Sequence, residues 1–337
     1  MAALRIAVVI PVARQHSRLA RCLQACANLT YEPRIICVVS DEPIDLPDDP
    51  HFINVVSGSH ALTGPATKRD LARAQCADVD AYAYLDDDAY PPPQWLDEAA
   101  RVLAETPQAA GVGGPGLEPD DQLFWERVSA RALEAHAGSG PLRFRFVREA
   151  PRDCDDYPAF DLIVRKEWLD RAGGWATNWY GGEDSHLCAR LARVGGLIRY
   201  DPRPYVFHYR RALWPNHAWQ IWNIGRSRGC LVRVGDPLSR RLVFAAPAAL
   251  IAAALGFLGA GVFLGTGGLA VAAAAALIYM TAAIAPQMEV RRWREALMMP
   301  FALFIHHGAY ALGMAFGILT GTRTVRASIA ERLPEGN

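Results

Sequence analysis

The densest chemistry in the chain lies in three adjacent aspartates, in the run Tyr84-Leu-Asp86-Asp87-Asp88-Ala-Tyr-Pro-Pro-Pro. Neighbouring carboxylates repel one another, and such a group is tolerable where a hard divalent cation or hydrogen-bond donors neutralise it. Strand alternation puts Asp86 and Asp88 on one side, so the pair can face a single ligand. A Mg2+ or Mn2+ ion held by few carboxylates completes its shell with water and phosphate oxygens, which points to a phosphate-bearing ligand. The same acids also suit a solvated turn ahead of the next helix.

A second set follows in Trp179-Tyr-Gly181-Gly182-Glu183-Asp184-Ser-His-Leu187. The paired glycines let backbone approach a ligand, and Glu183 or Asp184 then stands at the start of a helix running through Leu187, Leu191 and Val194. Acids are ordinary caps at helix starts. Combined with a metal site upstream, this second set also supplies the general base that transfer to a hydroxyl needs. A third element, Pro204-Tyr-Val-Phe-His208-Tyr-Arg210-Arg211, ends a strand-like run at His208, which reads either as a further metal ligand or as a satisfied histidine. Downstream, Trp214, Trp219 and Trp222 interleave with Arg226, Arg228 and Arg233. Rings with one polar edge suit a bilayer interface, and arginine forks suit phosphate, so this stretch reads as membrane anchor or lipid-phosphate site.

The elements that must position these residues are legible as alternating strands and helices. Residues 6–12 form a continuous apolar run typical of a buried parallel strand, 17–29 carry helix-period apolar positions at Leu19, Cys22, Leu23 and Cys26, and 34–39 form a second strand. Residues 53–56 give a third strand, Gly64-Pro65 opens a helix through Gln75, and 81–85 give a fourth strand ending in the aspartates. This alternation predicts an α/β fold with a mainly parallel sheet, whose ligands bind beyond the carboxyl ends of the strands. Asp41 and Asp86 to Asp88 fall at such ends. Residues 101–200 read as helices and short strands with glycine-rich joints.

The 35 basic and 35 acidic residues cancel only in total. Residues 1–198 hold 29 acids against 20 bases, 199–241 hold 9 arginines against Asp201 and Asp236, and no Asp, Glu, Lys, Arg or His occurs in the 47 residues from 242 to 288. A further 27 residues, 296–322, have only His306, His307 and Tyr310 as titratable groups. These runs predict membrane spans at about 242–265, 269–286 and 297–320, with a hairpin turn at Gly265 to Gly268. The third segment reads either as a full span or as an interfacial or re-entrant helix broken near His306-His307-Gly308, which would keep Arg323, Arg326 and Arg332 on the inner side. The basic strip before the first span and the EVRRWRE stretch at 289–295 put the catalytic part on the cytoplasmic side of a membrane. The organisation expected is a catalytic domain at 1–211, an interfacial segment at 212–241, a membrane domain at 242–322 and a polar tail at 323–337. The seven cysteines lack a C-x-x-C pair, so neither a zinc module nor a disulfide framework is indicated. The apolar run at the N-terminus is too short for a signal peptide and reads as a first strand. No nucleic-acid partner is needed to explain the charge.

Taken in order, strand-Pro11, Asp41, Gly64-Pro65 with Lys68-Arg69-Asp70, LDDD, AFDLIVRKEWLDRAGGW, YGGEDSHLCARL and VFHYRR resemble the inverting family 2 glycosyltransferases, over about residues 4–211. The resemblance implies the A-type nucleotide-diphospho-sugar transferase fold. It implies that Asp41 and Arg69 hold the nucleotide, that Asp86 contacts ribose or sugar, with Asp87 beside it in the donor set, that Asp88 ligates Mg2+ or Mn2+ on the diphosphate, and that Asp184 is the catalytic base. His208 is the candidate third metal ligand. The membrane appendix is similar to that of bacterial enzymes acting on polyprenyl-linked acceptors, including the succinoglycan glucosyltransferase type. That likeness makes Gly182, Glu183, Arg210, Arg211, Trp222, Arg226 and Arg228 the acceptor-binding candidates. Two departures stand out: Asp70 occupies a position that is commonly Asn, which makes the pocket more acidic, and Gln220-Ile-Trp-Asn223-Ile lacks the Q-x-x-R-W of processive synthases.

The function expected is therefore metal-dependent transfer of a sugar from a nucleoside-diphosphate sugar to a hydroxyl of a polyprenyl-(di)phosphate-linked saccharide. It would occur at the bacterial inner (cytoplasmic) membrane, in polysaccharide synthesis, beside other assembly enzymes. A polyprenyl-phosphate sugar synthase, using the lipid phosphate itself, and a non-catalytic nucleotide-sugar-binding scaffold are the rivals.

Overall fold

The computed structural model describes residues 3–32, 34–57, 64–177, 181–263, 265–284 and 292–330. In chain order the elements begin β1 (Ile6–Pro11), α1 (Ser17–Ala27), β2 (Arg34–Ser40), β3 (Phe52–Val56), α2 (Pro65–Gln75), β4 (Ala81–Leu85), β5 (Ala89–Tyr90) and α3 (Trp95–Glu105). β6 (Gly111–Gly113), β7 (Gly116–Leu117), α4 (Phe124–Glu134) and α5 (His136–Ser139) follow, then a tight helical turn at Gly140–Arg145. β8 (Arg152–Cys154), β9 (Asp161–Arg165), α6 (Lys166–Arg171), α7 (Glu183–Arg193), β10 (Ile198–Tyr200) and β11 (Val206–His208) complete the first two hundred residues. A wide helical turn at Leu213–His217 leads into α8 (Ala218–Arg233), α9 (Leu242–Phe263), α10 (Gly265–Ile284) and α11 (Trp293–Ala330).

The chain divides into two compact units, one built mainly from residues 1–119 and 144–209 and the other from 120–143 and 210–326. In the first, eight strands run in the order β3-β2-β1-β4-β9-β6-β10-β8, and a small sheet has the order β5-β11-β7. Strands β3, β2, β1 and β4 are mutually parallel, and β9 enters antiparallel between β4 and β6. The continuous apolar runs are buried on both faces, as the sequence predicts for β1 and β4, whose residues are all inaccessible. Ile6, Val8 and Ile10 pack with Leu19 and Leu23 of α1 and with Trp95, Leu96 and Val102 of α3. Each such large side chain contributes about 1.5–3 kcal/mol on burial. The parallel strands present Asp41 and Asp86 at their carboxyl ends, because β2 and β4 stop at Ser40 and Leu85, just before them.

In the second unit, Val128, Ala132 and Ala135 of the α4–α5 region pack with Leu213 and with Met299, Ala302 and Leu303 of α11. Residues 120–143, grouped in the sequence reading with the catalytic domain, therefore belong to the helical unit. α8 and α11 touch backbone to backbone. A Cβ on Gly229 would lie 2.2 Å from the Met314 carbonyl oxygen, and one on Gly317 2.0 Å from that of Arg226. The run of 242–288 without charge contains both α9 and α10, which pack side by side. α10 already starts at Gly265, which has φ 64°, so Gly265 to Gly268, expected as a turn, belong to the start of this helix. Among the described residues one helix, Trp293–Gly321, is long and apolar enough to cross a membrane by length and composition, and Leu242–Ala253 is a shorter apolar helix. α11 runs unbroken through His306, His307 and Gly308, where one of the two alternative readings placed a break. Residues 285–291, including the first part of EVRRWRE, and 331–337 of the tail lie outside the described residues.

Candidate active site

The turn after β4 is closed by the Ala89 amide donating to the Asp86 carbonyl (3.0 Å). The chain then enters β5, which pairs antiparallel with β11 so that His208 faces Ala89. That register brings His208 Nε2 to 3.0 Å from Asp88 Oδ1, and the Tyr209 amide donates to the Asp88 carbonyl. Candidate donor atoms of Asp86, Asp88 and His208 all lie within 4.8 Å of one another. Two carboxylates and an imidazole so placed fit a divalent cation that completes its shell with other oxygens. The sequence reading assigned Asp86 to ribose or sugar; its carboxylate is also within reach of the metal set.

Asp87 turns the other way, to His16, with Nε2 to Oδ2 3.1 Å apart. His16 is the N-cap of α1, its Nδ1 accepting from the Leu19 amide. An Nδ1 that accepts leaves the proton on Nε2, which therefore donates to Asp87. Burial, opposed by this bond, pushes the Asp87 carboxyl above the usual range. Asp87, expected among the donor-binding residues, is thus engaged with the start of α1.

Arg69 links the two acid sets. α2 starts with Pro65 at its first position, and Lys68 and Arg69 are buried along it. The Arg69 guanidinium lies 3.0 Å from Asp86, 3.4 Å from Asp184 and 3.6 Å from Glu183. It also stacks on Trp175, 4.5 Å from the ring centre. Asp184 and Glu183 open α7, whose N-cap Gly182 has φ 97°, a left-handed conformation that glycine adopts freely. Burial, then the charge of Glu183, pushes the Asp184 carboxyl up to about 8, against the pull of Arg69. Burial also raises Glu183. Three carboxyls crowd one guanidinium, and a cation beside them would relieve the repulsion that disfavours their ionised forms. Trp179 and Tyr180 of the motif lie outside the described residues.

Asp41 accepts from the Ser57 hydroxyl (3.1 Å) and pairs with Lys68 Nζ (2.9 Å), which also donates to the Val12 carbonyl (2.6 Å). Asp70 does not face this pocket. Its two carboxylate oxygens accept the amides of Trp175 (3.0 Å) and Ala176 (3.1 Å), the latter residue left-handed at φ 46°. The expected acidification of the nucleotide pocket by Asp70 is replaced by a structural role, holding the loop that presents Trp175 to Arg69.

The acceptor candidates divide. Gly182 and Glu183 stand beside Asp184. In the helical unit, the Arg210 amide donates to Gln122, the Arg211 carbonyl accepts from Ser129, and Trp222 packs on Phe316. Arg226 is half-buried, its carbonyl close against Gly317. Arg228 is turned inward, its guanidinium 3.9 Å from the Phe244 ring centre and bonded to Ser239, which removes it from the surface where it was expected to meet phosphate. The residues that the sequence reading passed over are His16, Lys68 and Trp175. Lys68 was signalled by its place beside Arg69, whereas nothing in the sequence marks the partners of His16 or Trp175.

Residues 7–172 match the model of glycosyl transferase family 2. The pre-mycofactocin glycosyltransferases of two Mycobacterium tuberculosis strains are 29% identical over 212 residues, 61% of this chain. The match covers 43% of their length, so the chain spans less than half of the curated relatives it matches. A mannosyltransferase from Pyrobaculum calidifontis, solved with GDP-Man and Mn2+, has a TM-score of 0.62 at 18% identity, covering 92% of this chain and 87% of that one. That likeness concerns the fold, an A-type nucleotide-sugar transferase with a mostly parallel sheet. The family match thus lies over residues 7–172, and the structural likeness adds the fold.

Proposed function

We propose that the protein is a membrane-bound inverting glycosyltransferase that moves a sugar from a nucleoside-diphosphate sugar to a hydroxyl of a polyprenyl-(di)phosphate-linked saccharide. The observation that carries the reading is the pair of bonds from one buried guanidinium: Arg69 reaches Asp86 of the cation set at 3.0 Å and Asp184 at 3.4 Å. A base candidate and a diphosphate-neutralising set thus meet at one guanidinium. A divalent cation on Asp86, Asp88 and His208 would neutralise charge on the departing diphosphate. In its ionised form Asp184 takes the proton of the acceptor hydroxyl as that oxygen bonds to the anomeric carbon and the bond to the diphosphate breaks, a single displacement that inverts the centre. Arg69, held against Trp175, fixes the Asp184 carboxyl.

Membrane attachment is supported by α9 and α10, which hold no charged residue over Leu242–Phe263 and Gly265–Ile284. A lipid-linked acceptor presents its head at the interface, beside the arginine-rich strip at 199–241 and facing the cytoplasm. An Asp184→Asn variant should bind nucleoside diphosphate normally and fail to transfer sugar. Full turnover onto a hydroxyl would refute the base assignment. Near-normal activity of this variant with polyprenyl phosphate would favour the synthase reading, because an ionised phosphate needs no strong base. The acceptor panel should pair lipid-linked saccharide with pre-mycofactocin, the substrate in the relatives' name. Transfer to soluble acceptors alone would remove the lipid part of the reading.

A further inference from the structure

We propose that α11 lies along the membrane surface, with its outer face in the boundary between headgroups and acyl chains, and does not cross the bilayer. The inference rests on the membrane reading above and adds the geometry of its last helix. Composition alone makes Trp293–Gly321 a candidate span. The helix is nevertheless two-faced. Leu297, Phe301, Phe304, Leu312, Phe316 and Leu319 recur at helical spacing and are 45% to 75% exposed. From 297 to 319 this stripe runs about 33 Å at 1.5 Å per residue.

The opposite face is packed from end to end on elements that carry charge. Near its start Glu295 pairs with Arg127 of α4 (2.8 Å). One turn on, Met299, Ala302 and Leu303 meet the α4–α5 region, and His307 Nε2 bonds the Ala137 carbonyl (2.9 Å). From Gly313 to Gly321 the backbone lies against α8, where Arg233 donates to the Ile318 carbonyl (2.9 Å). α4 carries Glu126, Arg127, Arg131 and Glu134, and α8 carries Arg226, Arg228 and Arg233. If α11 crossed the bilayer, these seven groups would be drawn along its whole length into hydrocarbon, where ionised side chains are costly. Lying flat, α11 places the apolar stripe in lipid and leaves the charged helices on the aqueous side, the arrangement of an interfacial amphipathic helix. Trp214, Trp219 and Trp293 of the same unit are exposed, as interface-seeking rings are. α9 and α10 differ, since their exposed positions, Leu250, Leu255, Val271 and Leu277 among them, are apolar without charged neighbours on the same helix.

The test uses the full chain bound to vesicles of phosphatidylcholine and phosphatidylglycerol, with an environment-sensitive fluorophore on single introduced cysteines. Leu297→Cys, Phe304→Cys, Leu312→Cys and Leu319→Cys sample α11, and Leu255→Cys and Leu277→Cys sample the hairpin. The parent, whose cysteines are buried except for half-buried Cys154, gives the labelling background. Quenching by lipids brominated at different depths should place all four α11 positions at one shallow depth. A profile deepest at 304 and 312 and shallow at 297 and 319 would overturn the proposal in favour of a span. Quenching at 255 and 277 with none along α11 would also overturn it, showing that the stripe meets protein. Failure of every position to be quenched would instead remove the membrane reading on which the proposal stands.

Discussion

Replacing Asp184 by Asn should make the protein more stable as well as inactive in transfer to hydroxyls. The carboxyl is enclosed beside Glu183 and is pushed up to about 8, so the folded chain holds a proton that the unfolded chain releases near pH 4. The sign follows: between those values the folded state binds more protons, so stability falls as pH rises from about 4 to 8 and is level above. A shift of that size corresponds to roughly 5–6 kcal/mol at 1.36 kcal/mol per unit. The pull of Arg69 is already contained in that value, and the side chain keeps 27% of its surface exposed. Solvent screening leaves on the order of 2–3 kcal/mol. Asparagine is neutral at every pH and retains one oxygen to accept from the Ala159 amide and Arg69. Thermal denaturation of ligand-free wild type and variant, at intervals from pH 5 to 8.5, should show the variant gaining over wild type as pH rises, by about 2–4 °C per kcal/mol in a unit of this size. A variant that melts with the same pH dependence as wild type would refute the claim that Asp184 carries the burial cost of the site.

The Asp70→Asn change should leave nucleotide affinity unaltered and cost about 1–2 kcal/mol, because the carboxylate holds the Trp175 and Ala176 amides and does not face the donor; calorimetric titration with nucleoside diphosphate beside a thermal melt checks both parts. Gly317→Val should separate α8 from α11, since its Cβ would lie 2.0 Å from the Arg226 carbonyl, whereas Gly256→Ala, with nothing within 4 Å, should be neutral or mildly stabilising. Overpacking of the first kind costs about 1–3 kcal/mol or more, read as a lower melting temperature in detergent.

The parallel half of the sheet was legible because its strands are buried on both faces and so appear as unbroken apolar runs, bounded within a residue or two at β1, β2 and β4. Strand alternation predicted that Asp86 and Asp88 would face one ligand, and a turn after β4 brings their donor atoms together instead. His208 was readable as a candidate, but its approach to Asp88 depends on β11 pairing with the two-residue β5, a long-range contact that no local pattern encodes. For the same reason the partners of His16 and Trp175 were invisible. Asp70 looked like a pocket acid by its place next to Arg69, yet neighbours on a helix point about 100° apart, and its carboxylate reaches the Trp175 loop. Residues 120–143 precede later strands of the catalytic fold, so sequence order grouped them there; their apolar face fits α11, more than 160 residues away. The two faces of α11 were hidden because both are apolar, and only packing separates Met299, Ala302, Leu303 and the glycines on one side from Phe301, Phe304, Leu312 and Leu319 on the other.

Donor binding through a cation held by Asp86, Asp88 and His208 is the central claim, and calorimetric titration of UDP and GDP into the intact protein tests it most directly, with Mn2+ present and with chelator. Wild type should bind at least one of the two nucleotides with Mn2+ and lose at least tenfold in affinity with chelator, and Asp88→Asn should resemble the chelated wild type. Equal affinity in all three conditions would contradict the account.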